Sequence, residues 1–280
     1  MDWLQEGLPY GIVAGLAVLF GVLLFVRHRL QIQLNRPRIR IGNGQTIGRR
    51  EEQDDYFATA HRSGTTLAVL GDGISGMSNG RLASTVAVTT FVQTFQELGE
   101  GQEIGAYLHR AARSGNTEIL RRLNGAKGGT TLIAAVIRDG LLYWGSVGDS
   151  ILTVLRGNTF IPINKKHTFG SVLEERVLSG EITKEEAVHN PLKNRLVNFM
   201  GHEGFKGIEI GDEPFRLEPK DRVILCSDGV YHALSEVELE DIFKRNRSPQ
   251  KAAEAIIEAV ELKSRPNQDN ATIIILDKGW

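Results

Sequence analysis

Five places along the chain set aspartates at the edge of an apolar run. RREEQDDYF (49–57) carries Asp54 and Asp55, LAVLGDG (67–73) carries Asp72, and YWGSVGDS (143–150) carries Asp149. VILCSDG (223–229) carries Asp228, and QDNATIIIL (268–276) carries Asp269. One Asp-Gly at a strand end is ordinary turn chemistry, and Asp139-Gly140 in RDGLL is read that way. Five acidic sites ask for a common cause. Strand ends can meet at one rim of a sheet, and carboxylates gathered there cannot all stay ionised without cations. Oxygen ligands with no His or Cys among them suit a hard ion, Mg²⁺ or Mn²⁺, better than zinc. The 7 histidines are scattered without metal-ligand spacing. Cys226 is the single cysteine, so an intramolecular disulfide and a four-thiolate zinc site are excluded. The sixth residue after it is His232, which rules out a C-x5-R thiolate loop; a small buried apolar thiol is expected.

GDGISG (71–76) also matches G-x-G-x-x-G literally. A dinucleotide loop would need bare N–H groups facing a pyrophosphate, a following parallel strand and an acidic residue about 20 positions on. Asp72 opposes an anion, and FVQTFQELGEG (91–101) continues a helical pattern instead. A metal-binding turn accounts better for Asp72, and no nucleotide cofactor is expected.

The elements that must position these residues follow from periodicity. TTLAVL (65–70) reads as a strand, 80–98 and 103–123 as helices, and 131–163 as four strands with hairpin turns at Asp139-Gly140 and Gly157-Asn158. Residues 170–200 have helical composition, 221–229 a strand ending in a turn, 234–262 two helices, and 271–277 a closing strand. Sequential hairpins with paired helices predict a layered α+β domain. Charge is balanced, with Lys+Arg 33 against Asp+Glu 34, so no basic field advertises nucleic acid.

LPYGIVAGLAVLFGVLLFV (8–26) carries no charge over 19 residues. At about 1.5 Å per residue it reaches about 28 Å, close to a bilayer core. Arg27, Arg29, Arg36, Arg38 and Arg40 follow it and no Lys or Arg precedes it, which predicts an uncleaved anchor with the remainder on the cytoplasmic face. The expected organisation is a short outer segment 1–7, a transmembrane helix 8–26, a basic juxtamembrane linker 27–45 that passes into a first strand with Pro37, Gly42 and Gly44 as punctuation, and a catalytic domain 46–280.

In order along 48–277, these segments resemble the metal-dependent serine/threonine protein phosphatases of type 2C. GRREEQDD resembles the family's G-x-R-x-x-N-E-D, DGISGMSNGRLAS has the spacing of D-G-M-G-G-H-x-x-G-E-x-A-S, and GGTTLIAAVI, LYWGSVGDS, LCSDGVYHALSEVEL and DNATIIIL resemble four further motifs. SVLEERVLSGEITKEEAVHNPLKNRLVNFMG (171–201) looks like the flap of bacterial members. The resemblance implies a four-layer α-β-β-α sandwich of two antiparallel sheets flanked by helices. It also implies two Mn²⁺ or Mg²⁺ ions bridged by a water that attacks phosphorus. Asp55 and Asp72 would bridge the ions, the Gly73 carbonyl would bind one, and Asp228 and Asp269 would complete the first site. Asp54 would serve the second ion, and Asp149 matches a third-ion position shared with Asp228. Arg50 matches the arginine that holds the substrate phosphate. Substrates would be phosphorylated proteins, the products of a serine/threonine kinase.

The chain departs from the pattern at several positions. Asp54 replaces Glu and Gln53 replaces Asn. Ser75 and Met77 stand where Gly and His are common, and Ile151 follows GDS where Arg is usual. Ile74 stands where some relatives place a general-acid His, which implies that the leaving seryl oxygen would take its proton from metal-bound water. His167 aligns with a D-H-S segment whose Asp is here Lys166, and a structural role is expected for it. The Asp54 and Ile151 departures motivate a competing reading, a catalytically weak phosphoprotein-binding module. Retention of Asp55, Asp72, Asp228, Asp269 and Arg50 argues against it.

Overall fold

A computed structural model describes residues 15–29, 39–74, 77–99 and 101–278. The chain forms two compact units, one through Arg38 and one from Ile39 onward. In the first, residues 15–29 form helix α1, with large apolar side chains such as Leu19, Phe20 and Phe25 exposed. Residues 8–14 of the expected span lie outside the described residues. Among the described residues no helix is long and apolar enough to cross a membrane.

The second unit is built from strands whose pairs are all antiparallel. One sheet has the order β1 (Ile39–Thr46), β11 (Ala271–Lys278), β10 (Arg222–Cys226), β6 (Ile151–Arg156), β7 (Thr159–Pro162). The other has the order β2 (Tyr56–Arg62), β3 (Thr65–Gly71), β4 (Leu132–Arg138), β5 (Leu141–Val147), β8 (Glu209–Ile210), with β9 (Phe215–Arg216) also on β5. Apolar side chains of the two inner faces meet, among them Leu70, Ile133 and Trp144 against Leu152, Val223 and Ile274. Helices α2 (Gly80–Gln96) and α3 (Ile104–Leu123) bury Phe91, Phe95 and Leu108 on the outer face of the second sheet. Helices α6 (Asp228–Ala233), α7 (Glu236–Arg245) and α8 (Pro249–Leu262) cover the first with Val230, Phe243 and Ile256. Between β7 and β8 lie the short helices α4 (Phe169–Leu178) and α5 (Lys184–Val188). The expected four layers are present.

Three boundaries differ from expectation. The linker was expected to run to residue 45, but Gly42 and Gly44 lie inside β1, which pairs with β11 from Ile39. These glycines are there for contact: a Cβ on Gly42 would strike the backbone of Pro249, and one on Gly44 would come to 2.7 Å from Ile257 Cγ1. They let α8 lie directly on the strand. The turn expected after Cys226 is instead the first turn of α6. Of the helical composition over 170–200 only α4 and α5 materialise; they bury Leu173 alone, so no apolar stripe propagates them.

Gly42→Ala should destabilise the domain by about 1–3 kcal/mol, because backbone and not a pliable side chain must yield. Gly105→Ala, whose Cβ meets only the Glu103 carboxylate at 3.5 Å, should be neutral or stabilising by up to about 1 kcal/mol. Urea denaturation of the two variants checks the contrast.

Candidate metal centre and phosphate site

The registers Tyr56↔Gly71, Cys226↔Ile151 and Cys226↔Ile273 bring the start of β2, the ends of β3 and β10 and the starts of β6 and β11 to one end of the sandwich. All the aspartates singled out in the sequence sit there. Asp72, Asp149, Asp228 and Asp269 line one cleft of about 440 Å³, together with Ile74, Met77, Thr131, Asn194, Arg195, Leu196 and Phe199. Asp55 lies beneath, 2% exposed.

Asp55 is held from one side only. Its Oδ2 accepts hydrogen bonds from Ser227 Oγ (2.8 Å) and Thr272 Oγ1 (2.7 Å), whereas its buried Oδ1 has no partner among the described residues. Burial, together with the charge of Asp269, pushes the Asp55 carboxyl up to about 6 against these two donors. Burial pushes Asp228 up to about 7, with Asp149 and Asp269 adding repulsion and Arg50 opposing it. Asp72 is raised well above the ordinary carboxylate range by burial and then by Asp55, Asp228, Asp149 and Asp269. Asp149 and Asp54 are raised as well, in both cases chiefly by burial. Negative charge is crowded here beyond what the protein's own donors neutralise.

The backbone is shaped to permit that crowding. Gly73 N–H donates to Asp54 O (3.2 Å), and a Cβ on Gly73 would come within 2.5 Å of the Gly80 carbonyl carbon. A Cβ on Gly229 would strike Asn270 O. Ser75 and Gly76 lie outside the described residues. Asn270 organises the loop before β2: its Nδ2 donates to Ile47 O (2.9 Å) and Glu52 O (3.0 Å), and its Oδ1 accepts from Asp54 N–H (2.8 Å). Arg50, carried on that loop and half-exposed, donates through Nη2 to Asp269 Oδ2 (2.7 Å).

As the chain stands, no group of three or more His, Cys, Asp or Glu among the described residues is disposed to hold a metal ion. Asp55 Oδ2 is bonded to Ser227 and Thr272, and Asp269 to Arg50. The donor set nevertheless fits a hard divalent cation, being all oxygen with one buried carboxylate oxygen orphaned.

Ser227 and Thr272 hold Asp55, and Asn270 holds the loop that carries it; the strand-end aspartates alone do not reveal these three. The available signals were that Ser227 immediately precedes Asp228, and that Thr272 interrupts the apolar run ATIIIL. His167 is structural as expected: Nδ1 accepts from Gly148 N–H (3.2 Å), so Nε2 carries the proton toward Glu209 Oε2 (2.7 Å). Cys226 is buried and its thiol is pushed up to about 12, as an inert thiol should be.

The raised carboxyls give stability a definite pH sign. Asp228 binds its proton more tightly in the folded chain, so its contribution is complete below its ordinary value of 3.8 and lost as pH rises through about 7. In EDTA, Asp228→Asn should therefore gain on the unmodified chain by on the order of 1–4 kcal/mol between pH 4 and pH 7. Thermal denaturation across that range measures it.

A family model described as Protein phosphatase 2C matches residues 44–263. A serine/threonine phosphatase stp of Listeria welshimeri is 30% identical over 257 residues, covering 89% of this chain and 95% of the relative. The Mycobacterium tuberculosis serine/threonine phosphatase PstP/Ppp superposes with a TM-score of 0.72 at 25% identity, over 86% of this chain and 99% of that one. The catalytic domain of the serine/threonine protein phosphatase PstP, solved in complex with 2 manganese ions, gives a TM-score of 0.69 at 26% identity over 85% and 97%. With the carboxylate rim, the two-sheet fold and the matched segment in agreement, this chain belongs to the protein phosphatase 2C family.

Proposed function

We propose that the chain is a metal-dependent protein serine/threonine phosphatase acting on products of a serine/threonine kinase at the cytoplasmic face of a membrane. The observation that carries the chemistry is the buried Oδ1 of Asp55, without a hydrogen-bond partner among the described residues, in a group of buried carboxyls raised above their ordinary range. Names of relatives supply the substrate class, and the manganese-bound neighbour supports two ions.

Asp55, Asp72, the Gly73 carbonyl, Asp228 and Asp269 would hold two Mn²⁺ or Mg²⁺ ions, flanked by Asp54 and Asp149. Such ions supply Lewis acidity, which acidifies water and draws charge from a phosphoryl group. The chain's own residues do the rest. Ser227 and Thr272 fix the rotamer of Asp55. Among the described residues Arg50 has one side-chain hydrogen bond, to Asp269, which leaves donors of its planar fork for phosphate oxygens. Ile74, Met77, Leu196 and Phe199 give the cleft an apolar wall for the substrate's flank. With Ile74 at the position of the general-acid His, no imidazole there delivers a proton to the leaving oxygen. The inert Cys226 thiol takes no part.

The membrane location rests on the uncharged run 8–26 and on the part of it within α1, whose apolar side chains are exposed from Leu16 to Val26. Arg27 and Arg29 close that run, and Arg29 lies over the Phe25 ring at 5.5 Å. Basic residues at this end would favour anionic headgroups by about 1 kcal/mol each.

Full-length protein in detergent should release phosphate from phosphoserine and phosphothreonine peptides with Mn²⁺ and stop with EDTA. Asp228→Asn should abolish turnover in a chain that stays folded, while Cys226→Ser keeps it. Arg50→Ala should raise KM more than it lowers kcat, the loss of a charge-assisted pair costing about 1.5–3 kcal/mol. Turnover in EDTA would overturn the metal-dependent reading.

In fractionated cells the full-length chain should sediment with membranes, and a C-terminal tag should resist protease until the cells are lysed. Recovery in the soluble fraction would remove the anchor, and digestion of the tag in intact cells would reverse the orientation.

A further inference from the structure

The segment between β7 and α4 brings a lysine beside the metal centre. His167 N–H donates to Gly148 O (2.8 Å), and Gly148 N–H donates in return to His167 Nδ1 (3.2 Å). This reciprocal pair fastens residues 166–167 against the loop that carries Asp149. Lys166 O accepts from Ser171 Oγ (2.7 Å), which fixes the lysine's other flank. The half-buried Lys166 side chain then runs to Tyr231, with Nζ 3.5 Å from the ring centroid. The Tyr231 hydroxyl donates to Asp149 O (3.2 Å) and lies 3.4 Å from Asp149 Oδ2. Tyr231 is thus bracketed by an ammonium on its face and a carboxylate at its tip.

We propose that the Lys166 ammonium stands in for a cation beside Asp149, so that this chain takes two divalent ions and closes the third-ion position.

The proposal rests on the metal-dependent reading above and sharpens its ion count. Charges around Asp149 have been exchanged relative to the family pattern. The Arg usual after GDS is Ile151, and the Asp of the D-H-S segment is Lys166. A basic side chain now arrives from the β7–α4 segment instead of from β6. Burial raises the Asp149 carboxyl, and of the influences that oppose burial there the Lys166 charge is the foremost. A divalent ion placed on Asp149 and Asp228 would face that ammonium across Tyr231, in a half-buried setting where water screens like charges poorly. The Lys166 charge therefore offsets part of the Asp149 charge without an ion, at the cost of a site for one.

The test is ion counting on the full-length chain by electron paramagnetic resonance of free Mn²⁺ during titration. The unmodified chain should bind two ions, and Lys166→Arg, which keeps the charge, should also bind two. Lys166→Ala should bind a third, with affinity at the Asp149 position strengthened about tenfold or more. Adding Asp149→Asn to Lys166→Ala should return the count to two. Three ions on the unmodified chain, or two on a folded Lys166→Ala variant, overturn the proposal. No bound ions on the unmodified chain overturn the metal-dependent reading and the proposal with it. If Lys166→Ala does not fold by circular dichroism, the count on the unmodified chain and on Lys166→Gln decides.

Discussion

Mutual repulsion among carboxylates gathered at one end of two packed sheets is the constraint around which the rest of the molecule is arranged. Asp55, Asp72 and Asp228 all hold their protons more tightly than free aspartate would, because burial, and then the charge of neighbouring aspartates, opposes ionisation. A fold that maximised its own stability would not gather these groups. Local strain of this kind is retained where a ligand relieves it.

Three features keep the cluster together without a ligand. The first is a set of protein donors: Ser227 and Thr272 spend their hydroxyls on Asp55. Ser227 does so from the N-cap position of α6, where its side chain gives the helix no cap hydrogen bond. The second is internal counter-charge, Arg50 on Asp269 and Lys166 behind Tyr231. The third is the apolar interior on both sides of the two sheets, large enough to carry a costly rim. The core lends stability that the rim uses.

Much of this was legible in the sequence, for reasons that also mark the limit. Hairpins announce themselves locally: Asp139 and Gly140 both adopt positive φ, 53° and 79°, as the turn joining β4 to β5 requires. Helices α2, α3, α7 and α8 follow from periodicity. The partition into sheets does not, because β1 pairs with β11 across almost the whole domain and no local pattern encodes that partner. Gly42 and Gly44 were misread as punctuation for a related reason, since a glycine that admits a helix looks the same in sequence as one that turns the chain. At the site, the aspartates stood out by type and position. Ser227, Thr272 and Asn270 act through register between distant segments, which only the folded chain displays.

Asn270 has a consequence of a different kind. One side chain grips three backbone groups of the loop that carries Arg50, Asp54 and Asp55, and it grips them from the residue next to Asp269. The arginine proposed to hold the substrate phosphate and the acidic rim are therefore parts of one jaw, hinged on a single amide. A descendant that kept every acidic side chain but lost this amide would preserve its whole inventory of reactive groups and lose their aim. Decay of the enzyme could begin there, in a residue that touches no reacting atom, while an inspection of ligand identities still pronounced the site intact.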